Sequence, residues 1–175
     1  YEGYRVLPYC WRDETPLSTH ELRMDDDVYK MRQDPSVTVT FPLVGAKAEA
    51  LGLTGVRALA WTTTPWTLPT NLALAVGPAI DYVVVAAGPA GAADGGAAGE
   101  ARYLLAADTL AAHAAVLGYE DGAPEVLRTV AGTEIGGLAY QRLFDDFADA
   151  EEWGTQDAWR VLVDDYVATG EGTGV

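Results

Sequence analysis

The chain has 175 residues, enough for one good hydrophobic core with a small appendage at most, and its 26 acidic against 11 basic side chains give a formal net charge of −15. That balance excludes a broad phosphate-binding surface, which needs many Lys and Arg to neutralise phosphates and release counterions. One cysteine, Cys10, excludes an internal disulfide framework and, even with His20 and His113, leaves a tetrahedral zinc site short of ligands; no apolar run approaches the ~20 residues of a membrane span, so a cytoplasmic protein is expected.

The N-terminus, Tyr1-Glu2-Gly3-Tyr4-Arg5, lacks the layout of a signal peptide. Arg5–Trp11 alternates loosely and runs into Arg12-Asp13-Glu14-Thr15-Pro16-Leu17-Ser18, which reads as a turn closing a ribbon. Asp25-Asp26-Asp27 reads as a solvated acidic loop in preference to a metal site, because no Gly turn follows to space oxygens around a divalent cation. Ser36–Phe41 puts Val37, Val39 and Phe41 on one face and Thr38 and Thr40 on the other, the period of a half-buried strand. Val56–Ala60, Leu72–Val76, Asp81–Ala87, Arg102–Ala106, Glu125–Val130 and Trp159–Val167 are further apolar runs of strand type, mostly parted by Gly or Pro, and together they suggest a barrel or a strongly curved sheet.

Pro89–Gly99 is almost entirely Gly and Ala around Asp94, too poor in side chain to offset the entropy of ordering it, and reads as a mobile loop between strands. Asp108–Leu117 fits a helix with Asp108 as N-cap and Gly118 after its end. His113 then packs along a helix face and is not read as a catalyst. A second helix is predicted around Gln141–Ala150. The chain has no initiator Met and ends at Gly172-Thr173-Gly174-Val175, so it is expected to be a piece of something larger.

Little chemistry is available elsewhere. Neither Ser18, Ser36 nor Cys10 sits in a Gly-x-Ser-x-Gly elbow, a Cys10–His20 dyad is disfavoured, and no Gly-Lys-Ser/Thr phosphate loop is present. What remains is residues 61–71, Trp-Thr-Thr-Thr-Pro-Trp-Thr-Leu-Pro-Thr-Asn, directly after the apolar run Val56–Ala60. Thr64-Pro65 and Leu68-Pro69 hold this segment in one bent path, because proline fixes φ and pushes the preceding residue out of the helical region. On the residues alone two readings stand level: a threonine-rich strand edge protected by prolines, or a small polar pocket. Trp61 and Trp66 as apolar walls and Asn71 as a two-way hydrogen-bonding group favour the pocket, suited to a small uncharged or zwitterionic ligand.

The 61–71 segment resembles the threonine-rich peptide of the editing domain of class I isoleucyl-tRNA synthetases. The valyl and leucyl relatives carry Thr-Thr-Arg-Pro at that place, so Thr64 before Pro65 points to the isoleucine branch. Pro8-Tyr9-Cys10-Trp11-Arg12 with Thr15-Pro16-Leu17-Ser18, Gly137-Leu138 with Tyr140 and Leu143-Phe144, and Gly172-Thr173-Gly174-Val175 resemble three further motifs in order. The resemblance implies a mixed α/β, β-barrel-like editing domain with peripheral helices over 36–175, preceded by an N-terminal ribbon and connector over 1–35. Many relatives carry a second cysteine where Asp13 stands. The family's Gly-Thr-Gly motif also continues into a His, an Ala-Pro and an Asp that this chain does not contain, so the isolated fragment is expected to be inactive.

What the resemblance implies for function is a second sieve. One methylene in a hydrophobic pocket is worth ~1–3 kcal/mol, a general value for which this enzyme family is itself the standard example, so a synthetic site cannot adequately exclude valine. The editing pocket then hydrolyses valine from the 3′-CCA end of mischarged tRNA(Ile). Thr62, Thr63 and Thr64 would be catalytic, and Trp66, Thr67, Asn71, Gly172, Thr173 and Gly174 would bind substrate. No cofactor is implied for this domain, ATP and in some relatives zinc belonging to the rest of the enzyme. Its implied partners are the CCA end, the valine moiety and the remaining synthetase chain, in a monomer without membrane contact. A non-catalytic amino-acid- or adenosine-binding module and a purely structural barrel are the competing readings.

Overall fold

The computed structural model describes residues 3–4, 6–22, 31, 33, 35–120, 124–170 and 172–175. The acidic run 25–27 lies outside the described residues. Two compact units divide the chain, Tyr1–Asp34 and Pro35–Val175. In the first, strands β1 (Tyr9–Cys10) and β2 (Thr15–Pro16) pair antiparallel, Cys10 opposite Thr15, as the expected ribbon. Cys10 Sγ donates to the Asp13 carboxylate at 3.1 Å. Ser18 and Glu21 bond reciprocally, the Ser18 N–H to Glu21 at 2.7 Å and the Glu21 N–H to the Ser18 hydroxyl at 3.3 Å.

The second unit is built on one mixed eight-stranded sheet. Its elements are β3 (Val37–Val44), α1 (Gly45–Ala50), β4 (Arg57–Thr62), β5 (Ala73–Val76), β6 (Asp81–Ala86), β7 (Arg102–Ala106), α2 (Leu110–His113), β8 (Val126–Ala131), α3 (Gly132–Ile135), β9 (Ala139–Tyr140), α4 (Ala150–Trp153) and β10 (Arg160–Val163). The strands lie in the order β5-β10-β9-β3-β4-β7-β6-β8, and among the described residues no pairing closes the sheet between β5 and β8. The fold class is the expected mixed α/β one, mostly sheet with short helices. Among the described residues no helix is long and apolar enough to cross a membrane.

The period-two patterns give the sheet two buried faces. Phe41, Leu43, Ala58, Tyr82, Val84, Leu104 and Ala106 meet in the larger cluster, whereas Leu59, Val83, Val85, Tyr103, Leu105 and Leu117 form the other. Each fully buried Leu or Phe stabilises the fold by roughly 1.5–3 kcal/mol through apolar area removed from water. β3 outruns its predicted span through Pro42, which sits where the strand leaves β4 and takes up β9: Pro42 is opposite Arg57, and the next pair is Leu43 with Tyr140. A missing N–H is tolerated at such a changeover.

Three expectations need correction. No helix covers 141–149; the helix is α4, capped by the Asp149 carboxylate, which accepts the Glu151 and Glu152 N–H groups at 3.0 Å each, and ended by left-handed Gly154. The helix expected over 108–117 is a 3₁₀ turn, Ala107–Thr109, followed by the single turn α2 and further turns. His113 is buried there, its Nδ1 3.0 Å from the Thr109 carbonyl. The Gly/Ala-rich loop is also better anchored than its composition suggests. The Asp94 carboxylate accepts from Arg57 at 2.6 Å, Tyr103 at 2.5 Å, the Gly96 N–H at 3.0 Å and Thr40 at 3.2 Å. Backbone bonds from Gly88, Ala90 and Ala93 to the 116–118 turn complete the attachment.

Candidate functional site at the end of strand β4

β4 breaks off at Thr62, and residues Pro65–Thr70 form a 3₁₀ turn whose two prolines set its path. The threonines are thereby folded onto one another. Thr62 Oγ1 accepts the Thr64 N–H at 3.0 Å and lies 3.1 Å from Thr64 Oγ1, which in turn lies 3.5 Å from Thr67 Oγ1. Thr67 commits its proton to the Thr64 carbonyl at 2.8 Å. Because Thr67 can then only accept, the remaining protons order as Thr62 to Thr64 to Thr67, leaving lone pairs on Thr62 and Thr64 for a water or a polar ligand. Thr63 is exposed and takes no part in this chain of hydroxyls.

Asn71 ends the turn as a structural hub. Its Oδ1 accepts from Tyr140 at 2.7 Å, its Nδ2 donates to the Ala73 carbonyl at 2.9 Å, and its own carbonyl accepts the Trp159 indole N–H at 3.2 Å. Burial raises the Tyr140 pKa, with the Asn71 bond working in the opposite direction, so the phenol stays a donor at neutral pH. Trp159 adopts φ 56°, a left-handed conformation uncommon for a bulky residue, and Arg142 lies over its ring at 5.0 Å. Tyr140 and Trp159 were not assignable from sequence. Tyr140 belongs to a short motif whose partner is 69 residues away, and the left-handed turn at Trp159 carries no Gly or Asn signal.

Two clefts flank this segment. One, of about 370 Å³, is lined by Trp61, Thr62, Thr67, Thr70 and Asn71 together with apolar residues of β3 and β5. The other, of about 340 Å³, lies between Ala73–Ala75 of β5 and residues 172–175, with Trp61 and Tyr166 at its margin. Thr63, Thr64 and Trp66 line neither cleft, and Trp66 is 72% exposed.

Residues 172–175 wedge between the ends of β4 and β7. Gly172, at φ 72°, abuts the Trp61 ring so closely that an added Cβ would lie 3.1 Å from Cε3; Gly174, at φ 76°, would place one 2.5 Å from the Ala106 Cβ. Only glycine meets both the left-handed backbone and the space. The Thr173 carbonyl accepts the Ala106 N–H at 2.9 Å and the Thr109 hydroxyl at 3.2 Å, and the Gly174 carbonyl accepts the Tyr82 hydroxyl at 2.7 Å. Thr173 Oγ1 is buried without a hydrogen-bond partner among the described residues. The sequence-predicted groups therefore fall into two motifs that meet at Trp61. Among the described residues no group of three or more His, Cys, Asp or Glu is gathered to hold a metal ion.

No family model matches the chain. Over its whole length it is 65% identical to an isoleucine–tRNA ligase of Leifsonia xyli, 54% to one of Mycobacterium tuberculosis and 52% to one of Tropheryma whipplei. It spans 15–16% of the length of these relatives. Among solved structures it resembles the editing domain of the P. knowlesi cytosolic leucyl-tRNA synthetase (TM-score 0.56, 15% identity, 83% of this chain and 58% of that one). It also resembles GlLeuRS-CP1 (TM-score 0.55, 12% identity, 80% and 53%). Over its full length the chain is thus similar in sequence to one segment of these isoleucine–tRNA ligases, and its fold is that of the two leucyl-tRNA synthetase editing domains.

Proposed function

We propose that this domain is a second, size-excluding sieve that hydrolyses the ester joining valine to the terminal adenosine of mischarged tRNA(Ile), and also valyl-adenylate. The observation that carries the reading is the ordered chain of hydroxyls from Thr62 through Thr64 to Thr67 beside a cleft of about 370 Å³. A threonine hydroxyl is far too weak an acid to act as the base at neutral pH. In the proposed mechanism Thr62 and Thr64 orient the attacking water, and the vicinal ribose hydroxyl of the substrate assists its deprotonation. Thr63 and Trp66, both exposed, lie at the margin where the incoming adenosine passes. Asn71 acts indirectly by holding the turn between Tyr140 and Ala73. The mechanism calls for no cofactor in this domain.

The acidic surface suits a domain that receives only the single-stranded CCA end while the remainder of the synthetase holds the tRNA body. The reading is tested by offering the ligase that carries this chain Val-tRNA(Ile) ending in adenosine or in its 2′- and 3′-deoxy forms. Hydrolysis of the parent substrate with loss on one deoxy form is expected. Saturable binding of the parent substrate with no turnover would instead identify a non-catalytic module, and equal rates on all three would remove the ribose hydroxyl from the mechanism.

A further inference from the structure

Tyr82 lines neither cleft, yet its hydroxyl joins the elements on both sides of the cleft between β5 and residues 172–175. Its side chain is fully buried in the larger core cluster, on a strand whose alternate residues face opposite sides of the sheet. The hydroxyl accepts the Gly77 N–H at 2.9 Å and donates to the Gly174 carbonyl at 2.7 Å. Gly77 directly follows β5, whose Ala73–Ala75 form one wall of that cleft; Gly174 belongs to the opposite wall. One phenolic oxygen thus ties the two walls together.

We propose that Tyr82 is a positioning residue for the hydrolysis described above, a strut that sets the separation of β5 from residues 172–175 and so the placing of that segment against Trp61, which lines both clefts. The inference rests on the proposed editing function. The geometry leaves little slack. Thr173 is held from a second side by Thr109 and Ala106, and Gly172 abuts the Trp61 ring. A strut lost on one side therefore lets the segment pivot about its remaining bonds and does not release it. Displacements on the order of 1 Å in groups that position a reaction cost up to about 100-fold in rate.

The test is single-turnover hydrolysis of Val-tRNA(Ile) by the ligase carrying Tyr82→Phe, which keeps the ring and removes only the hydroxyl, beside Thr109→Val and the double variant. The expected result for Tyr82→Phe is a rate constant about tenfold lower with KM within twofold and aminoacylation unchanged. Thr109→Val is expected to act in the same direction, with the double variant departing from the product of the two because both act through residues 173–174. A Tyr82→Phe enzyme that aminoacylates and hydrolyses as the unmodified one does overturns the proposal. A parallel loss of hydrolysis and aminoacylation also overturns it, since that is the signature of a merely structural residue. If Tyr82→Phe does not fold, unchanged hydrolysis by Thr109→Val overturns it equally. Failure of the unmodified ligase to hydrolyse the ester rejects the editing function itself, an outcome separable from all of these.

Discussion

Asp94→Ala should cost this domain about 2–3 kcal/mol, although Asp94 sits in a loop of glycine and alanine. The carboxylate has four partners. Two of them lose little: Arg57 is 34% exposed and rehydrates, so its ion pair contributes at most about 1 kcal/mol, and Thr40 is only half-buried, whereas Gly96 is buried. Tyr103 cannot rehydrate, being buried, and an unpaired buried hydroxyl costs about 1–3 kcal/mol. Burial and then the Asp94 bond push the Tyr103 pKa up to about 12, so it remains a donor throughout the measurable range. The assay is urea denaturation of wild type and variant at pH 7, read as a change in midpoint at constant slope. A loss below about 0.5 kcal/mol, the level of an ordinary surface substitution, would refute the reasoning.

The same network fixes the sign of a pH effect. Burial acts to raise the Asp94 pKa, but the bonds from Tyr103, Arg57 and Gly96 outweigh it and hold the carboxyl below its ordinary value. A group depressed in the folded state gives stability that is fully present above the ordinary carboxylate range and is lost as pH falls through the folded value. The difference between wild type and Asp94→Ala should therefore be constant from pH 7 to about 5 and narrow below ~3.9.

Further outcomes follow from other contacts. Gly174→Ala should destabilise the domain by about 2–4 kcal/mol, because the new Cβ meets Ala106 at 2.5 Å on a left-handed backbone; a melting temperature within 2 °C of wild type, a shift of about 1 kcal/mol or less, would count against the wedge. Tyr140→Phe removes one hydrogen bond to a part-exposed amide and should cost about 1 kcal/mol, with a matching loss of protection in the 65–71 turn by hydrogen exchange. The isolated chain, at −15, should bind tRNA weakly at physiological salt, and submicromolar affinity in a gel shift would contradict that.

How much of this was legible in the sequence varies with the range of the interactions involved. Alternation in 37–41 and the uniform runs at 81–86 and 102–106 identify strands because side-chain burial is a local pattern there. The abrupt end of β4 was legible for the same reason, proline acting on its immediate neighbours. Strand β9, two residues long, exists only because β3 and β10 lie on either side of it, and no local signal marks it. Asp149 and Gly154 do carry the cap signature of α4, which begins only at the C-terminal end of the helix expected over 141–150. Asp94 was legible as a polar residue in a loop and nothing more. Its anchoring depends on Arg57, 37 residues away, and Thr40, 54 residues away. The threonine motif named the site, but its hydroxyl order and the Tyr82 strut are tertiary facts.

The most direct measurement of the central claim is the single-turnover deacylation of Val-tRNA(Ile) and Ile-tRNA(Ile) by the ligase that carries this chain, with and without Thr64→Ala. The valyl ester should be hydrolysed at least about tenfold faster than the isoleucyl ester. Loss of the Thr64 hydroxyl, the middle member of the chain, should slow the valyl reaction about tenfold, the equivalent of one hydrogen bond of ~1.4 kcal/mol. Equal rates on the two esters, or a valyl rate indifferent to Thr64→Ala, would contradict the claim.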